Sequence, residues 1–570
     1  MGNLEKIKNL IEKKDLFIIL IILFFSIIST FLELISISIL IPFFSKLDSG
    51  LEFKNDFLIE LNNFYNQNFS SELSVILLII ILVFAMKNTI FLFSKFIEQK
   101  FIFKFHAKIT RKLFFFYLNK DFSFHTKNNS SQLIKNISSE CGVFANNFLQ
   151  PIILSIGEFI VLSVLLTFLF LLNFKTTIFI LIFLVVISTI FNIFSKDYLR
   201  KLGKLRSIHS GNSFKELQQS FISIREIIIY KLHNFFTKKY DFHNKSNLAT
   251  GYKSKFIYSI PKSLLEISAI TGITLIIYHL HKNGTSFAEI VLTTSIYVLA
   301  ATKIMPGITR IFSVLTNLNY TINSIKIFNK SFFSFYKNDF SNKIGNIQKR
   351  KKIYSLELKK IYFKYEKNFI LNNLNLKIKS GEKIGIIGDS GSGKTTLINI
   401  MVGLLNNFKG DYIINNKKVN IPNLFLDQNL GYVPQNCLMI DDTIRENIEL
   451  GREIKDKKKY IKIINDLGLK KLNSFKNSEK NKNIGERGAK ISGGQNQRIG
   501  IARALIMNPS VLVLDEALNS IDNKIKKKII DKIFTEYDDK IIIIVSHDVK
   551  DLKYCHKKYK LINGSLKRFF

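Results

Sequence analysis

Six long apolar segments fill the first 312 residues of the 570-residue chain, and no other feature limits its fold as strongly. They run over Leu16–Phe44, Leu73–Phe93, Ile152–Leu172, Thr177–Phe194, Phe256–Leu280 and Phe287–Phe312. A helix needs about 20 mostly apolar residues to cross a bilayer, and each segment approximates that with few charges. The chain therefore reads first as an α-helical six-span membrane domain. The basic N-terminus, with Lys6, Lys8, Lys13 and Lys14, leads into the first segment without a small-residue cleavage site, so that segment reads as a retained helix rather than a removed leader.

The connections give the expected orientation. Long Lys-rich stretches, Lys95 to Asn147 and Lys196 to Lys255, separate segments two from three and four from five, whereas Ser45 to Glu72 is acidic. Lysine excess marks the cytoplasmic side, so the N-terminus and both long stretches are placed there, the latter as helices running on into the cytosol. The net charge of +38 raises nucleic acid as a partner, but the lysines are spread evenly and no basic stripe interleaves with stacking aromatics. A nucleic-acid partner is not expected, and six apolar segments exclude a soluble protein of DNA repair or translation. Cys141, Cys437 and Cys555 have neither metal-ligand spacing nor the density of a disulfide framework.

From about Lys337 to Lys352 the sequence turns polar and rich in Lys and Asn. The expected organisation is a membrane domain over residues 1–330, a linker over 331–352 and an ATPase domain over 353–570. In the last of these, short β-type runs alternate with helical patterns, as in an α/β domain. Directly after the apolar run Lys383–Ile387 comes Gly388-Asp389-Ser390-Gly391-Ser392-Gly393-Lys394-Thr395, followed by Thr396. It fits the phosphate-loop pattern G-x-x-x-x-G-K-[ST] at every fixed position. The glycines let backbone N–H groups curl around phosphates, Lys394 reaches the terminal phosphates and Thr395 offers a hydroxyl to Mg²⁺. Downstream, the apolar run from Val511 ends in Asp515-Glu516, where Asp515 suits a Mg²⁺ shell and Glu516 is placed to polarise an attacking water. Between the two lies Ser492-Gly493-Gly494-Gln495, a turn at the head of a helix and hence a second anion site.

With that turn beside the phosphate loop and the acidic pair, residues 353–570 resemble the ABC-type ATPases, whose signature is L-S-G-G-Q. The resemblance implies further roles. Tyr365 would stack on adenine, Gln435 would sense Mg²⁺ and the membrane domain, Asp522 would belong to the aspartate loop and His547 would be the switch histidine near the γ-phosphate. Gly485-Glu486-Arg487-Gly488 resembles the loop that exporters carry before the signature. Two departures stand out: Ile491 for Leu, and Asn519-Ser520-Ile521-Asp522 where Ser-Ala-Leu-Asp is usual. In this family one subunit's signature completes another's nucleotide site. One motif set and one six-helix domain thus imply a homodimer with two equivalent sites, each hydrolysing ATP with Mg²⁺ to drive transport across a bacterial inner membrane.

Cations inside the apolar segments are costly and mark function by default. Lys87, Lys262, Lys303 and Arg310 are such residues, and Lys303, Gly307 and Arg310 share one helix face by spacing. Either they pair with Glu33, Glu158 or Glu266, or they line a wet cavity for an anionic substrate. The membrane domain is also similar, in patches, to lipid-linked oligosaccharide flippases of the PglK type. The likeness lies in Glu33–Phe43, Ser259–Lys262 and Lys303–Arg310. That similarity implies a polyprenyl-pyrophosphate-linked glycan as cargo, with the four cations binding the pyrophosphate and glycan, and a short amphipathic external helix over Phe53–Tyr65 meeting the lipid tail. A general exporter of drugs, lipids or peptides is the alternative with the same architecture.

Overall fold

The computed structural model of the chain describes residues 11–38, 59–60, 63, 73–172, 174–282, 284, 287–337, 352–365, 368–419, 429–452, 456–470 and 483–569. Most of the expected external helix at 53–65 and of the linker at 331–352 lies outside these residues, as do the side chains of Glu33 and Lys303. Two compact units form, one of residues 1–120 with 125–339 and the other of 121–124 with 340–570.

The first unit is helical. Its long helices are α1 (Lys13–Ser38), α2 (Leu73–Leu118), α3 (Gln150–Leu172), α4 (Phe174–Ile222), α5 (His233–Lys282) and α6 (Phe287–Lys337). As far as they are described, the six apolar segments fall on these six helices, the first up to Ser38. Four helical stretches among the described residues combine the length and apolar composition needed to cross a membrane: Lys13–Leu32, Leu77–Leu118, Ser130–Leu171 and His233–Lys282. Helices α2, α4, α5 and α6 extend well beyond their apolar segments, so the long polar stretches are largely helical continuations. Outward residues such as Phe194 and Phe287 are four-fifths exposed, the pattern of a surface whose solvent is lipid rather than water.

Within this unit, α4 packs against both α5 and α6. Phe191, Leu199 and Leu202 of α4 bury themselves with Ile257 and Leu265 of α5 and with Phe312 and Tyr320 of α6. The tightest approach is at Gly203, where an added Cβ would stand 2.0 Å from the Tyr320 carbonyl oxygen. Beyond the apolar segments, buried charge fastens the helices together. Glu140 accepts from Arg206 of α4 at 2.8 Å, lies 3.0 Å from the Lys135 ammonium and takes the Ser324 hydroxyl of α6. Glu140 ends a π-helical turn, Asn136–Glu140, whose extra residue aims its side chain inward toward these partners.

The second unit is α/β. A four-stranded antiparallel sheet has the order β2-β1-β4-β5, with β1 Ser355–Tyr365, β2 Asn368–Lys379, β4 Lys409–Ile414 and β5 Lys417–Lys418. A six-stranded sheet has the order β10-β9-β3-β8-β7-β6, with β3 Lys383–Gly388, β6 Leu430–Val433, β7 Val511–Asp515, β8 Ile541–Val545, β9 Lys557–Ile562 and β10 Ser565–Arg568. The pairs β6·β7, β7·β8, β8·β3 and β3·β9 are parallel. Central strands of a parallel sheet are covered on both faces, which is why β8 reads Ile-Ile-Ile-Ile-Val with every residue buried. Around the sheet lie α7 (Lys394–Met401), α8 (Gly493–Leu505) and α9 (Asn523–Glu536).

Gly203→Ala forces a methyl into the Tyr320 backbone and should cost about 1–3 kcal/mol. A thermal melt of the purified protein in detergent checks this: a clear drop in Tm is expected, against no drop for Gly251→Ala, where an added Cβ meets nothing within 4 Å.

Candidate functional site

Strand register builds the nucleotide site. Ile386 of β3 pairs with Val545 of β8, Val545 with Asp515 of β7, and Leu514 of β7 with Val433 of β6. The carboxyl ends of four strands are therefore level. Gly388 closes β3, Glu516 follows β7 at once, and Gln435 and His547 stand two residues past their strands. This is the edge at which open α/β sheets bind ligands.

At that edge Gly391 and Gly393 adopt φ of +80° and +102°, so the phosphate loop can curl as only glycine does without strain. An added Cβ on Gly388 would press the Ser392 hydroxyl at 2.6 Å. The loop opens into α7, whose N-terminal dipole faces it. Lys394 folds over it and donates to the carbonyls of Gly388 at 2.6 Å and Asp389 at 3.0 Å. Thr396 is buried in the first turn, with Leu397 and Ile398 behind it fixing the helix to the core. Asp389 and Ser390 occupy the bend ahead of Gly391.

The acidic pair divides. Asp515 accepts from the Tyr432 hydroxyl at 3.3 Å, and burial, reinforced by the neighbouring Glu516 charge, pushes its carboxyl above the usual range despite the opposing pull of Tyr432 and Lys394. Glu516 takes the left-handed conformation, φ +50°, with its N–H held by the Val545 carbonyl at 2.8 Å. Its Oε2 accepts from Gln435 Nε2 at 2.8 Å and from Asn519 Nδ2 at 3.2 Å, and lies 3.9 Å from His547 Nδ1. Gln435, Glu516 and His547, taken from three separate strand ends, thus meet.

The signature turn is a helix cap. Ser492 and Gln495 form a reciprocal capping box at the start of α8: Ser492 N–H donates to Gln495 Oε1 at 2.9 Å and Gln495 N–H to Ser492 Oγ at 3.3 Å. Gly493 lies 3.6 Å, through an added Cβ, from the Ser520 side chain, while Gly494 would meet the Ser520 carbonyl oxygen at 2.6 Å. One turn along, Gln497 donates to the Glu516 carbonyl at 3.4 Å and accepts from the Ser520 N–H at 2.9 Å. Asp522 caps α9, accepting from the Lys524 N–H at 2.9 Å. Tyr365 closes β1, half exposed, its ring edge-on to Phe363 at 4.9 Å.

In the helical unit a cavity of about 320 Å³ opens among α1, α2, α3 and α6. Lys87, Lys95 and Glu98 of α2, Glu158 of α3 and Arg310 of α6 line it, beside apolar groups such as Ile22 and Phe91. Arg310 is ion-paired with Glu158, and Lys95 with Glu98 at 2.7 Å. Lys87 is buried, its ammonium 5.9 Å from the Phe84 ring centre. The cavity therefore brings together Lys87 and Arg310. Lys262 is elsewhere: its side chain is 72% exposed, 3.8 Å from Glu266 on its own helix, and it takes no part in lining this cavity.

Two family models match: ABC transporter transmembrane region over residues 18–302 and ABC transporter over 371–519. The chain is an ABC transporter. Among its relatives, an ATP-dependent lipid A-core flippase of Colwellia psychrerythraea is 26% identical over 77% of this chain and 75% of its own. One of Francisella novicida is 24% identical over 82% and 79%. A putative export ATP-binding/permease protein of Rickettsia prowazekii is 34% identical over 35% of each chain. The structure of a bacterial Atm1-family ABC exporter with ATP bound superposes with a TM-score of 0.78 over 97% of this chain and 94% of that one, at 15% identity, a likeness of fold. The transporter is thus an ABC exporter that couples ATP hydrolysis to transport.

Sequence reading passed over Gln497, which joins the signature helix to the Glu516 loop, and over Lys95 and Glu98, which it left in a polar stretch. A buried Gln in a helix and an i, i+3 ion pair give no local signal of a site. The geometry at Ser520 makes a sharp contrast. Gly494→Ala should destabilise the ATPase unit by about 1–3 kcal/mol, while Gly493→Ala should stay within about 0.5 kcal/mol. Thermal melts of the two variants check it, and equal losses would place the close contact elsewhere.

Proposed function

We propose that the exporter flips a polyprenyl-pyrophosphate-linked oligosaccharide, or a related anionic lipid, to the outer leaflet of a bacterial inner membrane. The carrying observation is that Lys87 and Arg310, cations from two different apolar segments, line one cavity together with Lys95. Cations in a low-dielectric site attract phosphate strongly, and the pairing carboxylates Glu158 and Glu98 keep them soluble in the bundle until an anion competes for them. At about 320 Å³ the cavity sits at the small end of ligand sites, room for a phosphate head group rather than a glycan. Lipid A-core flippases among the relatives support an anionic lipid as the class. The same two carboxylates favour the alternative, a general exporter accepting cationic compounds, and a multidrug resistance-like ATP-binding protein of Buchnera aphidicola is 29% identical over 61% of this chain.

The working unit in this reading is a homodimer, because the chain carries one phosphate loop and one capped signature helix, and each signature N-terminus serves the partner's nucleotide. The N-terminus and the ATPase unit face the cytoplasm. Gly388 to Thr396 cradle the phosphates, Tyr365 stacks on the base and Glu516 orients the attacking water, with Gln435 and His547 beside it. Thr395, Gln435 and Asp515 form an all-oxygen donor set suited to Mg²⁺, and the upward push on the Asp515 carboxyl marks a place short of positive charge. Those three residues would hold the ion, which would supply positive charge against the phosphates. The chain's own part is to hold Lys394 over the loop and Glu516 in reach of water.

Glu516→Gln should bind ATP with wild-type affinity and lose at least about 100-fold in turnover. Normal hydrolysis by that variant would remove Glu516 from the role. Lys87→Gln with Arg310→Gln should leave basal ATPase within about twofold and abolish flipping of a labelled pyrophosphate lipid in proteoliposomes. Retained lipid flipping, or loss of cationic-drug transport instead, would select the alternative.

A further inference from the structure

The loop Asn519-Ser520-Ile521-Asp522 departs from the sequence usual for its family, and Asn519 is where the departure touches chemistry. Its amide nitrogen Nδ2 lies 3.2 Å from Glu516 Oε2 and 3.4 Å from His547 Nδ1. The direct separation between His547 Nδ1 and Glu516 Oε2 is 3.9 Å, too long for a hydrogen bond. The amide therefore bridges two groups that do not otherwise touch. An amide nitrogen carries two hydrogens and can donate to both neighbours, whereas the serine usual at this position carries one and can donate to only one of them.

The orientation follows from the acceptors. Were the amide turned over, its carbonyl oxygen would face the Glu516 carboxylate, acceptor against acceptor. With Nδ2 inward, one hydrogen goes to Glu516 Oε2 and the other to His547 Nδ1. That nitrogen must then be unprotonated, so the ring proton sits on Nε2. The His547 side chain is two-thirds exposed and the ring would otherwise be free to turn. The loop is itself anchored: Asn519 N–H donates to the Glu516 carbonyl at 3.3 Å, and the Ser520 N–H to Gln497 at 2.9 Å.

We propose that Asn519 is a positioning residue for ATP hydrolysis. It splits its two amide hydrogens between Glu516 and His547, holding the carboxylate in place with Gln435 and fixing the orientation of the His547 ring through its Nδ1 acceptor, with Nε2–H pointing away. The inference rests on the reading of Glu516 as the group that orients water.

The test uses the full-length transporter in lipid nanodiscs. Steady-state ATPase and affinity for a non-hydrolysable ATP analogue are measured for Asn519→Ala, Asn519→Ser, His547→Ala, the Asn519→Ala/His547→Ala double variant and Glu516→Gln. Asn519→Ala should lower kcat roughly 10-fold, the size one ordinary hydrogen bond supplies, with analogue affinity unchanged within about twofold. Asn519→Ser, keeping one hydrogen, should fall between. The double variant should lose clearly less than the product of the two single losses, since both act on one arrangement. A normal kcat in Asn519→Ala, multiplying losses in the double variant, or a parallel loss of analogue affinity would each overturn the proposal. If Glu516→Gln loses turnover while Asn519→Ala does not, this inference alone fails; normal turnover in Glu516→Gln overturns the underlying assignment and this inference with it.

Discussion

The level register of β3, β8, β7 and β6 is the constraint on which the ATPase unit depends. Four parallel strands end together, so residues scattered over 160 positions of sequence arrive at one edge. What holds the register is burial. The β8 run is buried throughout and β7 is buried up to Leu514, with Ile542 and Ile544 packing to one side of the sheet and Ile541, Ile543 and Val545 to the other. A one-residue slip would exchange these two faces between cores of different shape and move every functional side chain by one step. The site thus inherits its precision from apolar packing that touches no nucleotide.

The helical unit solves a different problem, that of charge out of water. Three sets of its inward charges are matched by opposite ones: Arg310 with Glu158, Lys95 with Glu98, and Glu140 with Arg206 and Lys135. Leaving one member of such a set alone would cost several kcal/mol, because the desolvation of the survivor is no longer offset. The two kinds of set differ in setting. Glu140 is fully buried among three helices with its partners and the Ser324 hydroxyl, a fastening with no access for a ligand. Glu158 and Glu98 face a cavity that their partners line as well.

Legibility followed locality. The phosphate loop, the Asp515-Glu516 pair and the Ser492–Gln495 turn are contiguous and carry fixed spacings, so each was readable before any contact was known. Helical continuation of the polar stretches was readable from length and charge. Which cations share a cavity was not, because that depends on how each helix is rotated against its neighbours. Lys262 and Arg310 look alike in sequence, yet Lys262 points out toward a partner on its own helix while Arg310 points in toward Glu158. Gly203 gave no signal either, since its value is the nearness of a backbone more than a hundred residues away.

Contacts, rather than motifs, also join the Ser492–Gln495 turn to the Glu516 carboxylate. Gly494 admits the Ser520 carbonyl against α8, Gln497 of the same helix holds both the Ser520 N–H and the Glu516 carbonyl, and Asn519 between them reaches Glu516 and His547. These links are short and mutually dependent. A displacement of the α8 N-terminus shifts Ser520 through two contacts and therefore shifts Asn519. Glu516 already holds a left-handed backbone conformation that costs on the order of 1–2 kcal/mol, so its position depends on this support and not on local preference. That dependence gives the N-terminus of α8 a physical route to the Glu516 carboxylate within a single chain.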